Sequence, residues 1–121
     1  MAQFDVYPNP NPASRARVPF LVALPSDLLG TFDATVVAPL RLKADRDVIP
    51  VLRLNPTVRI DDIEYFLRPQ ELAAIATRSL KKPVTNLFPQ RAEILAALDF
   101  LFTGFYSLNY RKAPWPNTSS P

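Results

Sequence analysis

The chain has 121 residues, 48% of them hydrophobic and 21% charged, which suits one compact domain and excludes a disordered or highly charged tail protein. Fourteen prolines against two glycines exclude long uninterrupted helices over most of the length, and the absence of histidine and cysteine excludes thiol chemistry, disulfides, Ser-His-Asp triads and the usual zinc, haem and iron–sulfur sites. The net charge of +3 is spread over pairs such as Arg15/Arg17, Arg41/Lys43, Lys81/Lys82 and Arg111/Lys112, which reads as solvated surface charge rather than as a nucleic-acid face with interleaved aromatics.

From the N-terminus, Gln3-Phe4-Asp5-Val6-Tyr7 alternates apolar and polar residues and predicts a short strand, broken by the turn residues Pro8 to Pro12. Val18 to Leu24 is an apolar run with a proline inside, so a buried strand is expected from about Phe20. Ser26 to Gly30 reads as a turn or a single helical turn. The β-branched run Thr35 to Leu40 predicts another strand. Val51–Leu54 and Val58–Ile60 flank Asn55-Pro56-Thr57 as an expected hairpin, and Glu64–Leu67 follows an Asp61-Asp62 turn. Gln70 to Leu80 fits either a helix begun by Pro69 or an edge strand. Gln90 to Thr103 is a helix: Ile94, Leu95, Leu98, Leu101 and Phe102 recur at helical spacing, Pro89 suits its start and Gly104 its end. Residues 106–121 read as an irregular tail beyond a domain of residues 1–105. The expected fold is mainly β with a C-terminal α-helix, in the form of a small barrel.

An enzyme built from this composition would have to run on carboxylates, arginines, lysines, tyrosines or hydroxyls. Asp61, Asp62 and Glu64 form an acidic group, but acids flanking a hairpin are ordinarily exposed turn residues, so neither a metal nor another cofactor is expected. No segment reaches the ~18 consecutive apolar residues of a membrane span, and the N-terminus carries no signal-peptide pattern, so a soluble cytoplasmic protein is expected.

Several short words occur in a telling order: Gln3-Phe4, Val6-Tyr7, Phe20-Leu21-Val22 leading to Ser26-Asp27-Leu28-Leu29, Val36-Val37-Ala38-Pro39-Leu40, Ile49-Pro50-Val51, Ile60-Asp61-Asp62, and a last helix running into Leu101-Phe102 and Gly104. In this order and spacing, over about residues 2 to 105, the chain resembles the CcdB family, the toxins of toxin–antitoxin modules. The resemblance implies an SH3-like small barrel related to the Kid and MazF toxins, with a five-stranded sheet, a small three-stranded sheet and a C-terminal helix. It implies a homodimer without catalytic residues, which binds the A subunit of DNA gyrase, traps the cleaved-DNA complex and is neutralised by an antitoxin of the CcdA type. No direct nucleic-acid or membrane contact is implied.

In that family the gyrase contact lies at a terminal Trp-Gly-Ile with an amide residue one helical turn earlier. The matching positions are Thr103, Gly104 and Phe105, with Asp99 at the amide position, so only the glycine is kept. Phe105 and Phe100 offer substitute aromatic anchors. Further positions matching family contacts are Gln3, Phe4, Tyr7, Ser26 and Leu28. Two alternatives accompany this reading. One is a CcdB-like protein that keeps its antitoxin but has lost or changed its gyrase target. The other is an endoribonuclease of the MazF/Kid type, using Arg53, Arg59 or Arg68 with Asp61 or Glu64 on the phosphate.

Overall fold

The computed structural model describes residues 1–26 and 32–104. Strands β1 (Asp5–Pro8), β2 (Phe20–Ala23) and β3 (Ala34–Leu42) pair antiparallel in sequence, and the short β7 (Thr85–Asn86) extends the sheet beyond β1. On its other edge β3 serves two partners. Its first half pairs with β6 (Ala73–Ala76) through Ala34↔Ala76 to Val37↔Ala73, and its last residues pair with β5 (Ile63–Leu67) through Leu40↔Leu67. Strand β4 (Thr57–Ile60) closes the order β4-β5-β3-β2-β1-β7. The result is a five-stranded part and a three-stranded part that share β3, a nearly closed barrel-shaped sheet with helix α1 (Arg91–Thr103) at the C-terminal side. The expected mainly β fold with a C-terminal helix is therefore the observed one.

Strand periodicity explains how both faces of the sheet become apolar. Val6, Val22, Leu24, Ala38 and Leu40 point to one side and join Phe4, Val58, Tyr65, Leu67, Leu87 and Ile94 of the helix in the larger core. Their alternates Tyr7, Leu21, Ala23 and Val37 point to the other side and meet Leu80. Phe4, Leu40, Leu67 and Ile94 are among the largest fully buried side chains. Each removes enough apolar surface from water to stabilise the fold by about 1.5–3 kcal/mol.

The expected hairpin around Asn55-Pro56-Thr57 is not formed, whereas the expected Asp61-Asp62 turn and an edge strand within Gln70 to Leu80 are. Residues 51–54 are not a strand: Leu54 and Asn55 both donate their N–H to the carbonyl of Val51, which coils the segment into a turn. Asn55 holds that turn from inside. Its Oδ1 accepts from Val51 N at 2.8 Å, and its Nδ2 donates to Leu67 O at 3.0 Å and to Gln70 Oε1 at 2.9 Å. The hairpin instead joins β4 to β5 around Asp61-Asp62, where Ile60 pairs with Ile63. Both turn residues have positive φ, 50° and 66°, as a two-residue turn matching strand twist requires. The open choice at Gln70–Leu80 resolves into pieces: a 3-10 turn at Pro69–Glu71, edge strand β6, and a second 3-10 turn at Thr77–Ser79.

Helix α1 follows the expected limits closely. A 3-10 turn at Phe88–Gln90 contains Pro89 and leads into Arg91, and Gly104 closes the helix at φ 77° with its N–H on Phe100 O at 2.9 Å. The apolar stripe is rotated from its expected place. Ile94 and Ala97 are the buried positions and Leu98 packs beside them, whereas Leu95 and Phe102 point outward. The small Ala97 lies four residues from Leu101 and three from Ile94, so it falls on the inner face with the buried Ile94.

Candidate functional site

At the outer end of α1, two bonds close the last turn. Thr103 is exposed, and its Oγ1 donates to Asp99 O at 2.6 Å, one turn back. Gly104 is exposed too, and a Cβ at this position would meet nothing within 4 Å, so its constraint comes from the left-handed backbone alone. Between them and the inner turns stands Phe102, 71% exposed. Leu95, Asp99 and Phe102 recur at four and three residues and share the outward face of the helix, so this face carries two apolar side chains around a carboxyl-bearing one. Phe100, by contrast, is half-buried.

The inner end is pinned. Gln90 Nε2 donates to Thr57 O of β4 at 2.9 Å, and Asn86 Oδ1 accepts from Phe88 N at 2.7 Å. The Arg91 guanidinium lies over the Phe88 ring, 4.2 Å from its centroid. A cleft of about 320 Å³ lies between this half of the helix, at Glu93 and Ala96, and the coiled segment at Leu52, Arg53, Asn55 and Pro56.

The remaining sequence-derived positions gather around the first strand rather than at the helix terminus. Gln3 donates its Nε2 to Leu24 O at 2.9 Å, two residues before the half-buried Ser26, and its carbonyl accepts from Asn86 Nδ2 at 2.9 Å. Phe4 is 0% exposed, held at φ 68° with its N–H on Ala23 O at 2.7 Å, and its side chain belongs to the core. Tyr7 is 3% exposed on the opposite sheet face, with its hydroxyl 3.4 Å from Asp5 Oδ2. Burial, then the nearby Asp5 charge and that hydrogen bond, push the Tyr7 hydroxyl above its ordinary pKa. Leu28 and Phe105 lie outside the described residues.

Gln3 thus sits beside the connection that feeds the start of α1, and the thirteen residues of the helix carry the chain on by about 20 Å before Thr103 and Gly104. The chain gathers its sequence-derived positions into two groups. Phe4 and Tyr7 offer little side-chain surface, while Asp99, Thr103 and Gly104 form part of one presented end. Phe102 is the residue that sequence reasoning assigned to the core. The signal that would have found it is Ala97, which completes the Ile94–Ala97–Leu98–Leu101 stripe and forces Leu95 and Phe102 to the outside.

Of the residues named for the nuclease alternative, the described structure brings Arg59 and Glu64 together and leaves Arg53 and Arg68 in other surroundings. Arg59 pairs with Asp62 at 3.7 Å and Glu64 at 3.4 Å on the exposed β4–β5 hairpin, and Lys43 also reaches Glu64 at 3.5 Å. Arg68 pairs with Glu71 at 3.0 Å and donates to Ile49 O, while Arg53, at φ 75°, lines the cleft beside the helix. Each carboxylate of the Asp62 and Glu64 group has an arginine partner, the arrangement of a solvated ion-pair network. Among the described residues, no helix is long and apolar enough to cross a membrane.

No curated protein matches the chain significantly. A family model described as CcdB protein does match, over residues 3–104, which takes in the sheet, the helix and its glycine cap. With that match spanning most of its length, the chain belongs to the CcdB family.

Proposed function

We propose that the protein is the toxin of a toxin–antitoxin module and acts as a homodimer that binds the A subunit of DNA gyrase, holds the enzyme on cleaved DNA and is neutralised by an antitoxin of the CcdA type. Family membership supports the toxin reading. The observation that carries the gyrase reading is the outer end of α1, where Phe102 is 71% exposed two residues before the glycine cap. An exposed aromatic at the end of a well-anchored helix can stack on a guanidinium or fill an apolar pocket of a partner, and such anchors are often worth ~2 kcal/mol or more. In this reading Phe102 takes the part of the family's terminal aromatic, with Asp99, Thr103 and Gly104 around it. Shape and contact do the work, and no residue of the chain makes or breaks a bond.

The test is a gyrase cleavage assay with purified protein. Linear DNA should accumulate after detergent and protease treatment in the presence of the protein and ATP, and the Phe102→Ala variant should lose at least tenfold in potency. Wild-type protein that arrests growth without trapping cleaved DNA would overturn the gyrase reading and leave the family assignment untouched.

A further inference from the structure

Among the described residues strand β6 pairs on one side only, with β3. Its register with β3, together with the bond from Thr77 N to Asp33 O at 2.7 Å, fixes which backbone groups face inward. Residues 73, 75 and 77 exchange hydrogen bonds with β3, so the N–H and C=O of Ala74 and the N–H of Ala76 point away from the sheet. The Ala76 carbonyl is already taken by Ser79 Oγ at 2.6 Å. The side chains along this edge are small, and Ala73 and Ala74 are exposed, so nothing on the strand itself obstructs a neighbour.

A groove of about 420 Å³ lies next to that edge on the Ile75 side of the sheet, with Val18, Leu21, Val37, Pro39 and Ala73 among its walls. Beyond the strand the chain continues through Arg78, Lys81 and Lys82, three exposed cations within five residues that have no ion pair with any described residue. Across the groove, the loop bearing Ser14 carries exposed Arg15 and Arg17. The one acidic residue of the groove wall, Glu71, is engaged by Arg68 at 3.0 Å.

We infer that the β6 edge takes up an extended acidic polypeptide segment as an added strand, with alternate apolar side chains in the Val37–Ile75 groove and carboxylates toward the Arg78–Lys82 turn. Backbone hydrogen bonds supply the docking geometry, the groove reads every second side chain, and the cations select the sign of the charge. This surface is separate from the end of α1, so the inference does not rest on the gyrase reading, and either can fail alone.

The probe is a fluorescein-labelled heptapeptide of alternating valine and glutamate, followed by fluorescence anisotropy with the full chain. Saturable binding is expected, weakened at least tenfold by each of three changes: N-methylation of alternate peptide nitrogens, the double substitution Lys81→Glu/Lys82→Glu, and replacement of glutamate by lysine in the peptide. Ala74→Pro removes an outward N–H without touching the β3 ladder, and should weaken binding to the same degree. Circular dichroism verifies that both variants keep the wild-type fold, and the methylated peptide needs no variant at all. Absent binding, or equal binding of the methylated or lysine peptide, overturns the inference. So does a loss of dimer in Ala74→Pro on sedimentation, which would make a second copy of the chain the occupant of this edge.

Discussion

The two ends of helix α1 are built in opposite ways. At the inner end, side chains reach other elements: Gln90 ties to β4, Asn86 accepts from the Phe88 N–H ahead of the helix and Ile94 is sealed in the core. At the outer end Thr103 bonds back to Asp99 and Gly104 to Phe100, and Phe102 is largely exposed. The inner end determines whether the chain folds, and the outer end is free to vary with what it contacts. On the proposed gyrase reading, that division leaves Asp99 and Thr103, which lie outside both clusters of core residues, open to differ from the amide and aromatic that the family resemblance implies there.

The largest effect should come from the inner end. Ile94→Ala leaves a cavity under the helix at a fully buried position and should cost about 2–5 kcal/mol, read as a lower urea midpoint with an unchanged slope. A cost below about 1 kcal/mol would mean that the helix is not pinned where the described contacts place it.

Next comes the turn facing the helix across the cleft. Asn55→Ala leaves the buried Leu67 carbonyl without this partner and removes the acceptor of the Val51 N–H, an expected loss of about 1–3 kcal/mol. Asn55→Asp keeps the acceptor for Val51 but loses the donor to Leu67, so it should not restore stability. Rescue by aspartate would place the importance of Asn55 in the acceptor alone.

How much of this was legible in advance follows from the type of interaction each segment depends on. The strands at Val6, Val22 and Val37 and the helix with its glycine stop are local patterns, visible in residue spacing. The coil at 51–54 is closed by local bonds to Val51 but anchored by Asn55 reaching Leu67 and Gln70, twelve and fifteen residues on, and an apolar stretch such as Val51-Leu52 carries no mark of that capture. Leu52 is 82% exposed although it reads as a strand residue. The β4–β5 turn was legible as Asp61-Asp62, while the positive φ of both aspartates was not, since glycine or asparagine is the usual signal for it. For the candidate site, the helix terminus was legible and Phe102 was not, because a single alanine decides which way the apolar stripe faces.

Gly104→Ala probes the outer end without filling any space. The left-handed φ of 77° penalises a Cβ by about 1 kcal/mol, and open surroundings give no compensating contact. A larger loss would show that the turn after the helix matters to the fold. Tyr7 supplies a pH-dependent counterpart on the sheet. Its hydroxyl titrates above its ordinary value of 10.0 when folded, so the folded chain holds that proton more tightly than the unfolded one. The stabilising contribution is complete below pH 10 and is lost as pH rises through the folded-state value. Tyr7→Phe should therefore give a shallower fall in stability above pH 10, measured by urea midpoints across that range.

Phe102→Ala should have the smallest effect on the fold and the most informative one on function. A side chain 71% exposed contributes little burial, so stability should change by no more than about 0.5 kcal/mol. If gyrase trapping falls at least tenfold in the same variant, stability and contact are carried by different residues of one helix, as the contrast between its ends requires. Phe102→Trp keeps a flat aromatic at the same position and should retain activity, whereas Phe102→Leu keeps apolar bulk without the ring and separates stacking on a cation from filling a pocket. Leu95, seven residues earlier on the same outward face, gives the internal control. If Leu95→Ala weakens trapping as much as Phe102→Ala, the whole outward stripe is the contact, and if it does not, the terminus alone is.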